Sequence, residues 1–199
     1  MTLEVPPALS AAEISQAIAG LANSVARSVI VVRGSRGSTG SGVIWNRPRL
    51  VITNAHVASS RTAELVLGNG HRVPARLVRH APAVDLAALE TDVDLSVPAQ
   101  VGDSGRMRPG DLVIAVGNPM GERNAPSLGI VSRPSDDVLQ LAITLRPGNS
   151  GGALANAEGE VVGIPHMVAG KGLALAISTR AVERFLESGV EPDLELTWI

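Results

Sequence analysis

Ser150 stands in Gly148-Asn149-Ser150-Gly151-Gly152, a hydroxyl set in a run of glycines. Glycine permits positive φ and leaves backbone N–H groups uncovered. Such a turn can aim two amides at one point, as the oxyanion of a tetrahedral intermediate requires. His56 closes an apolar stretch, Leu50-Val51-Ile52-Thr53-Asn54-Ala55-His56-Val57, that would hold its ring at a barrel rim. Asp85 sits between Val84 and Leu86 at the head of another apolar strand. A carboxylate there is costly to bury unless something donates to it, and an imidazole N–H is a natural donor. Each residue alone also has a plain structural reading: a serine filling a Gly-rich turn, a structural histidine, an aspartate capping the turn after Pro82. Together they support one another. A serine hydroxyl attacks only when a base takes its proton, and histidine serves when a third group holds its tautomer. The chemistry predicted is acyl transfer, with Ser150 as nucleophile, His56 as base and Asp85 as the orienting carboxylate.

Other chemistries fit less well. Gly148–Gly152 matches the G-x-S-x-G elbow of α/β-hydrolases, but that elbow needs a helix after the serine and the chain order Ser, acid, His. Residues 153–164 read instead as a hairpin around Glu158-Gly159. His166 is the sole histidine after Ser150, with no Asp between them. His56, His71, His80 and His166 show no metal-ligand spacing, so no metal and no cofactor is implied. Gly37–Gly42 lacks the Gly-Lys-Ser/Thr ending of a phosphate-binding loop. Lys171 does not complete a Ser-x-x-Lys pattern with Ser150.

The elements that must position these residues are short strands. From Ser28 to about Asp94, β-rich runs (Ser28–Val32, Gly42–Trp45, Leu50–Thr53, Ala63–Leu67, Val73–Val78, Leu86–Leu89) alternate with turn signals such as Gly37–Gly42 and Gly68-Asn69-Gly70. A second set follows: Leu112–Val116, Leu128–Ser132, Val138–Thr144, Val161–Ile164 and Leu173–Ile177, with a hairpin turn at Asn156–Gly159. Ser10 and Glu13 form a capping box before Ile14, Ile18, Leu21 and Val25 at helical spacing, which predicts a helix of about three turns. Ser178 caps a closing helix carrying Val182, Phe185 and Leu186, with Gly189 as its stop. The fold predicted is all-β with two flanking helices, built of two six-stranded barrels. Its divisions are 1–27 (arm and helix), 28–95 (first barrel, with His56 and Asp85), 96–110 (linker), 111–178 (second barrel, with Ser150) and 179–199 (helix and tail).

Composition sets the bounds. The 199 residues are 45% apolar and 18% charged, with a net charge of −2 and no block of like charges, so neither nucleic acid nor a membrane surface is suggested as partner. Aromatics are 2%, which leaves the core to Val, Leu, Ile and Ala. Cysteine is absent, excluding disulfides and thiolate catalysis. No secretory signal opens the chain and no apolar run nears the roughly 20 residues of a membrane span. The expectation is a cytoplasmic protein, or a periplasmic or secreted one if a leader was removed.

Several motifs in register now carry a resemblance. Thr53-Asn54-Ala55-His56-Val57, Val84-Asp85-Leu86-Ala87, Ala115–Gly121, Gly129-Ile130-Val131-Ser132, Pro147–Gly152 and Gly172–Ile177 resemble, in order, those of HtrA/Deg-type trypsin-like serine proteases. The resemblance runs from about residue 12 to 188. It implies a trypsin-like double Greek-key barrel and a serine endopeptidase acting on polypeptides, with unfolded or damaged proteins as substrates. It implies an oxyanion hole of the Gly148 and Ser150 N–H groups, shaped by Asn149, and a specificity pocket walled by Thr144, Ile164, Pro165, His166, Met167 and Leu173. That wall carries no acid, so cleavage after small or aliphatic residues is expected rather than after Lys or Arg. Asn149 cannot pair with a freed N-terminus, which implies control by the loops at 146–149 and 168–171 rather than by zymogen cleavage. A homo-oligomer, a trimer by resemblance, would lack aromatic residues in the N-terminal arm to hold it. The rival reading is a low-activity or inactive protease fold that binds unfolded segments as a chaperone would. A small-ester hydrolase would use the same triad.

Overall fold

The computed structural model describes residues 10–34, 37–95, 97–118, 124–167 and 174–188. Its N-terminal helix, α1 (Ala11–Ala26), starts where the capping box predicts: the Ser10 hydroxyl accepts from the Glu13 amide and the Glu13 carboxylate accepts from the Ser10 amide. Six strands then close into a barrel in the order β1-β2-β3-β6-β5-β4. They are β1 (Val29–Arg33), β2 (Thr39–Ile44), β3 (Leu50–Thr53), β4 (Thr62–Val66), β5 (Arg72–Ala81) and β6 (Leu86–Glu90). Six more form a second barrel, ordered β10-β11-β12-β9-β8-β7. These are β7 (Leu112–Gly117), β8 (Ala125–Pro134), β9 (Val138–Ala142), β10 (Ala153–Ala155), β11 (Val161–Met167) and β12 (Ala174–Ser178). A closing helix, α2 (Thr179–Ser188), follows β12 directly. Every strand pair is antiparallel.

Three apolar clusters explain why so many runs are apolar without alternation. Side chains alternate across a strand, yet here both faces of several strands are buried. In β3 and β6, Val51, Ala87 and Leu89 fill the first barrel, while Leu50, Ile52, Leu86 and Ala88 face out into a central cluster. In β7 and β11, Val113, Ala115 and Val162 fill the second barrel, while Ile114, Val116, Val161 and Ile164 join the central cluster. Val25 of α1 and Ala181, Val182 and Phe185 of α2 pack there too, so both helices close the seam between the barrels.

Several strands depart from the boundaries read in the sequence: β8 is longer at both ends, β11 runs on to Met167, and β10 was not read as a strand. β5 runs on to Ala81 because a bulge between Leu77 and Arg79 absorbs one residue. β2 begins at Thr39, so Gly40, Ser41 and Gly42 lie within a strand rather than in a turn. The stretch between the barrels is tied to both. Ala99 N–H donates to the Ile44 carbonyl at 2.8 Å, and Val161 N–H to the Gln100 carbonyl at 2.7 Å. Leu173, the 168–171 loop, Gly189 and the C-terminal tail lie outside the described residues. Among the described residues no helix is long and apolar enough to cross a membrane.

Candidate active site

Asp85 is the most constrained residue of the site. It follows a one-turn 3-10 helix, Pro82–Val84, and takes a left-handed conformation at φ 52°, ψ 42°. A non-glycine residue there stores strain, which persists only when its surroundings over-determine it. They do. The Asp85 carbonyl accepts from Ala55 N–H at 3.1 Å and from the Asn54 amide Nδ2 at 2.9 Å. Its Oδ1 accepts from the His56 N–H at 2.9 Å. The same backbone twist delivers Oδ2 to the His56 ring, 2.7 Å from Nδ1. A second imidazole, His166 on β11, lies 2.7 Å from Oδ2 through its own Nδ1. Burial pushes the Asp85 carboxyl up, but hydrogen bonds from the His166 ring, the His56 ring and the His56 amide outweigh it. The carboxyl is held well below the usual carboxylate range. The His56 imidazole is raised in turn, chiefly by its hydrogen bond to Asp85.

Ser150 is set by the meeting of the two barrels. Its carbonyl accepts from Ser41 N–H on β2 at 2.9 Å, and the next residue, Gly151, donates to the Pro165 carbonyl on β11 at 3.2 Å. Gly151 has φ +80°, and a Cβ there would lie 2.2 Å from the Ser41 carbonyl oxygen, so no side chain fits. Gly40 brings the pieces together from the other side. A Cβ at that position would stand 2.7 Å from Val57, the neighbour of His56, and 3.2 Å from the Ser150 carbonyl. His56 is half-exposed and Ser150 nearly buried, the ring open toward solvent and the serine held against β2.

The turn before Ser150 is equally fixed. Ser41 Oγ donates to the Gly148 carbonyl at 2.7 Å and accepts from Asn118 N–H at 2.8 Å. Asn149 N–H donates to the Arg146 carbonyl at 3.0 Å and Gly152 N–H to the Asn149 carbonyl at 2.9 Å. With its carbonyl turned toward Ser41, Gly148 is left with its own N–H undonated, and Ser150 likewise, among acceptors of the described residues. Ser41 is the supporting residue that sequence reasoning missed. Its signal was present, as a hydroxyl between two glycines, but read as part of a turn.

The expected pocket wall divides. Thr144 is exposed and Ile164 is wholly buried in the central cluster. His166 turns to Asp85, and Pro165 carries the carbonyl that holds Gly151. The Met167 side chain and Leu173 lie outside the described residues. His56, Asp85 and His166 also form the one group among the described residues whose ligand atoms, all within 4.8 Å of one another, could reach a single cation. Both ring nitrogens meet one carboxylate oxygen at hydrogen-bond distance.

Comparison with known proteins agrees with this architecture. The family described as "Trypsin-like peptidase domain" matches residues 40–164, well over half of the chain. The chain belongs to the trypsin-like peptidase family, in its HtrA-type branch. It is 39% identical over 147 residues to "Serine protease Do-like HtrA" of Lactobacillus helveticus, covering 65% of this chain and 36% of that protein. It is 35% identical over 169 residues to human "Serine protease HTRA3", covering 75% of this chain and 37% of the relative. A relative named "Probable periplasmic serine endoprotease DegP-like", of Marinomonas, is 40% identical over 141 residues, covering 66% of this chain and 30% of the relative. The solved structure "HtrA-type protease AlgW with tripeptide" superposes with a TM-score of 0.75 at 31% identity, covering 86% of this chain and 64% of that one. The chain spans just over a third of the length of the first two relatives.

Proposed function

We propose that the chain is a serine endopeptidase whose triad is His56, Asp85 and Ser150. The observation that carries this reading is the His56–Asp85 pair at 2.7 Å beside a serine turn whose Gly148 and Ser150 amides are undonated. Neutral His56 keeps its Nδ1 proton on Asp85, which leaves Nε2 as the base for the Ser150 hydroxyl when substrate binds. As Ser150 attacks the scissile carbonyl, His56 takes the proton and Asp85 stabilises the imidazolium. The negative oxygen of the tetrahedral intermediate is received by the N–H groups of Gly148 and Ser150, with Asn149 fixing the turn between them. His56 then returns the proton to the leaving amine, and water resolves the acyl-enzyme by the same steps reversed.

The substrates are polypeptides, unfolded or damaged ones, cut after small or aliphatic residues. Support comes from the HtrA-type relatives and from the AlgW structure solved with a tripeptide. Residues 28–95 supply the base and its carboxylate and residues 111–178 the nucleophile. A homo-oligomer is part of the proposal. The deciding experiment is reaction with a fluorophosphonate probe followed by peptide mass spectrometry. Labelling at Ser150 that vanishes in Ser150→Ala supports the assignment. An unlabelled, folded protein that also leaves casein intact would refute it.

A further inference from the structure

Asp85 holds two imidazoles, and the acyl-transfer mechanism uses only one. His166 Nδ1 lies 2.7 Å from the same Oδ2 that meets His56, and the two rings stand edge to face with centroids 6.5 Å apart. His166 is held there by β11, where it pairs with Leu175 of β12. It is about one-quarter exposed and so open to protons from solvent. A cavity of about 220 Å³ beside it is lined by the 82–84 turn, Val138 and residues 175–177, and its sole ionisable lining groups are Asp85 and His166. His56 is the remaining titratable group facing it among the described residues. His80, on β5, turns its ring toward the Ala55 carbonyl instead.

We propose that His166 is a positioning residue with a charge switch: neutral, it anchors the Asp85 carboxylate for His56, and protonated, it opposes the positive charge that His56 must acquire during catalysis. Neutral His166 can place its one ring proton at Nδ1 and donate to Oδ2, fixing the carboxylate as any well-placed donor would. A proton on its other nitrogen leaves that hydrogen bond in place but adds a positive charge against one shared anion. Two charged imidazoles on one carboxylate oxygen repel, so a second positive charge is harder to add than the first. Forming the His56 imidazolium at the transition state is that second protonation whenever His166 already carries a charge. The acid loss of activity therefore involves two protons, not one.

The inference rests on the triad reading, so its test has an arm that needs no activity. The first arm is the pH dependence of kcat/KM on an unfolded protein substrate. Wild type is expected to fall on the acid side with a slope above one on logarithmic axes. His166→Asn, which keeps an N–H donor near Nδ1 but cannot titrate, is expected to fall with a slope of one. His166→Ala, which loses the donor too, should be about 10- to 100-fold slower at its plateau, the size of one hydrogen bond to a charged group, with His166→Asn recovering part of that loss. The second arm follows the ring nitrogens of His56 by NMR in Ser150→Ala protein. Two titration steps should merge into one on adding His166→Asn. Superimposable one-proton activity limbs, or a His56 titration indifferent to His166→Asn, would overturn the proposal. Should the chain prove not to cut peptides, the NMR arm still decides it.

Discussion

The Asp85 carboxylate receives three hydrogen bonds, two from imidazoles and one from the His56 amide, and this sets the pH behaviour of the site. Because its bond to Asp85 raises His56 above the ordinary imidazole value of 6.5, the activity should fall with acid through a midpoint above 6.5. Asp85→Asn removes the anion, which lowers that midpoint and favours the wrong His56 tautomer. We expect kcat to drop roughly 10⁴-fold, on the scale of the corresponding substitution in other triads, with the limb displaced toward lower pH. A pH–rate profile of both proteins checks this; an unmoved limb would mean that Asp85 does not govern the base. The same depressed carboxyl also acts on stability. It stabilises the fold above its unfolded-state value of 3.8 and loses that contribution as pH falls further. At this scale the sequence was informative about residue types, since Asp85 between apolar neighbours demands donors. It could not show that His166 is one of them. That depends on the register of β11, which places residue 166 over Asp85 and residue 164 in the core.

Among the elements, β2 does the most to join the site, and its first half was read in advance as a turn. Glycine and serine at 40–42 look like a turn, yet the neighbours of β2 come so close that larger side chains would collide. Ser41 then spends its hydroxyl on the Gly148 carbonyl and its amide on Ser150. Ser41→Ala leaves the half-buried Gly148 carbonyl and the buried Asn118 amide without their partner, at about 1–3 kcal/mol for the buried amide. The peptide proposed to aim the oxyanion donors is then free to turn, so kcat should fall more than KM changes. Steady-state kinetics beside a thermal melt separate the two effects, and an equal loss in both would point to simple destabilisation. Gly151→Ala is harsher. It combines a left-handed φ, worth about 1–2 kcal/mol to a side chain, with an overlap against backbone that costs about 1–3 kcal/mol more. A melting temperature within a degree of wild type would show that the turn can reshape.

At the scale of the whole molecule the two barrels are neither independent nor merely tethered. Their number was legible from the short strands and turn signals, but the seam between them was not. A strand apolar on both faces gives no sign of which face looks inward. The central cluster takes Trp45 and Ile52 from one barrel, Ile114 and Ile164 from the other, and Phe185 from α2. Since the proposed active site spans the same seam, unfolding of either barrel must expose apolar surface on both and dismantle the site. The molecule is therefore expected to unfold in one step. Trp45, 1% exposed within the seam, reports on it directly once Trp198 is replaced by phenylalanine. Its fluorescence change in urea should coincide with loss of β-sheet circular dichroism and with loss of fluorophosphonate labelling. Ile164→Ala, a fully buried side chain at the seam, should move all three curves together. The loss expected is about 2–5 kcal/mol, a fall in melting temperature of roughly 5–20 °C. If the fluorescence transition instead separated from the dichroism, the barrels would be distinct folding units, and the site would form only after they dock.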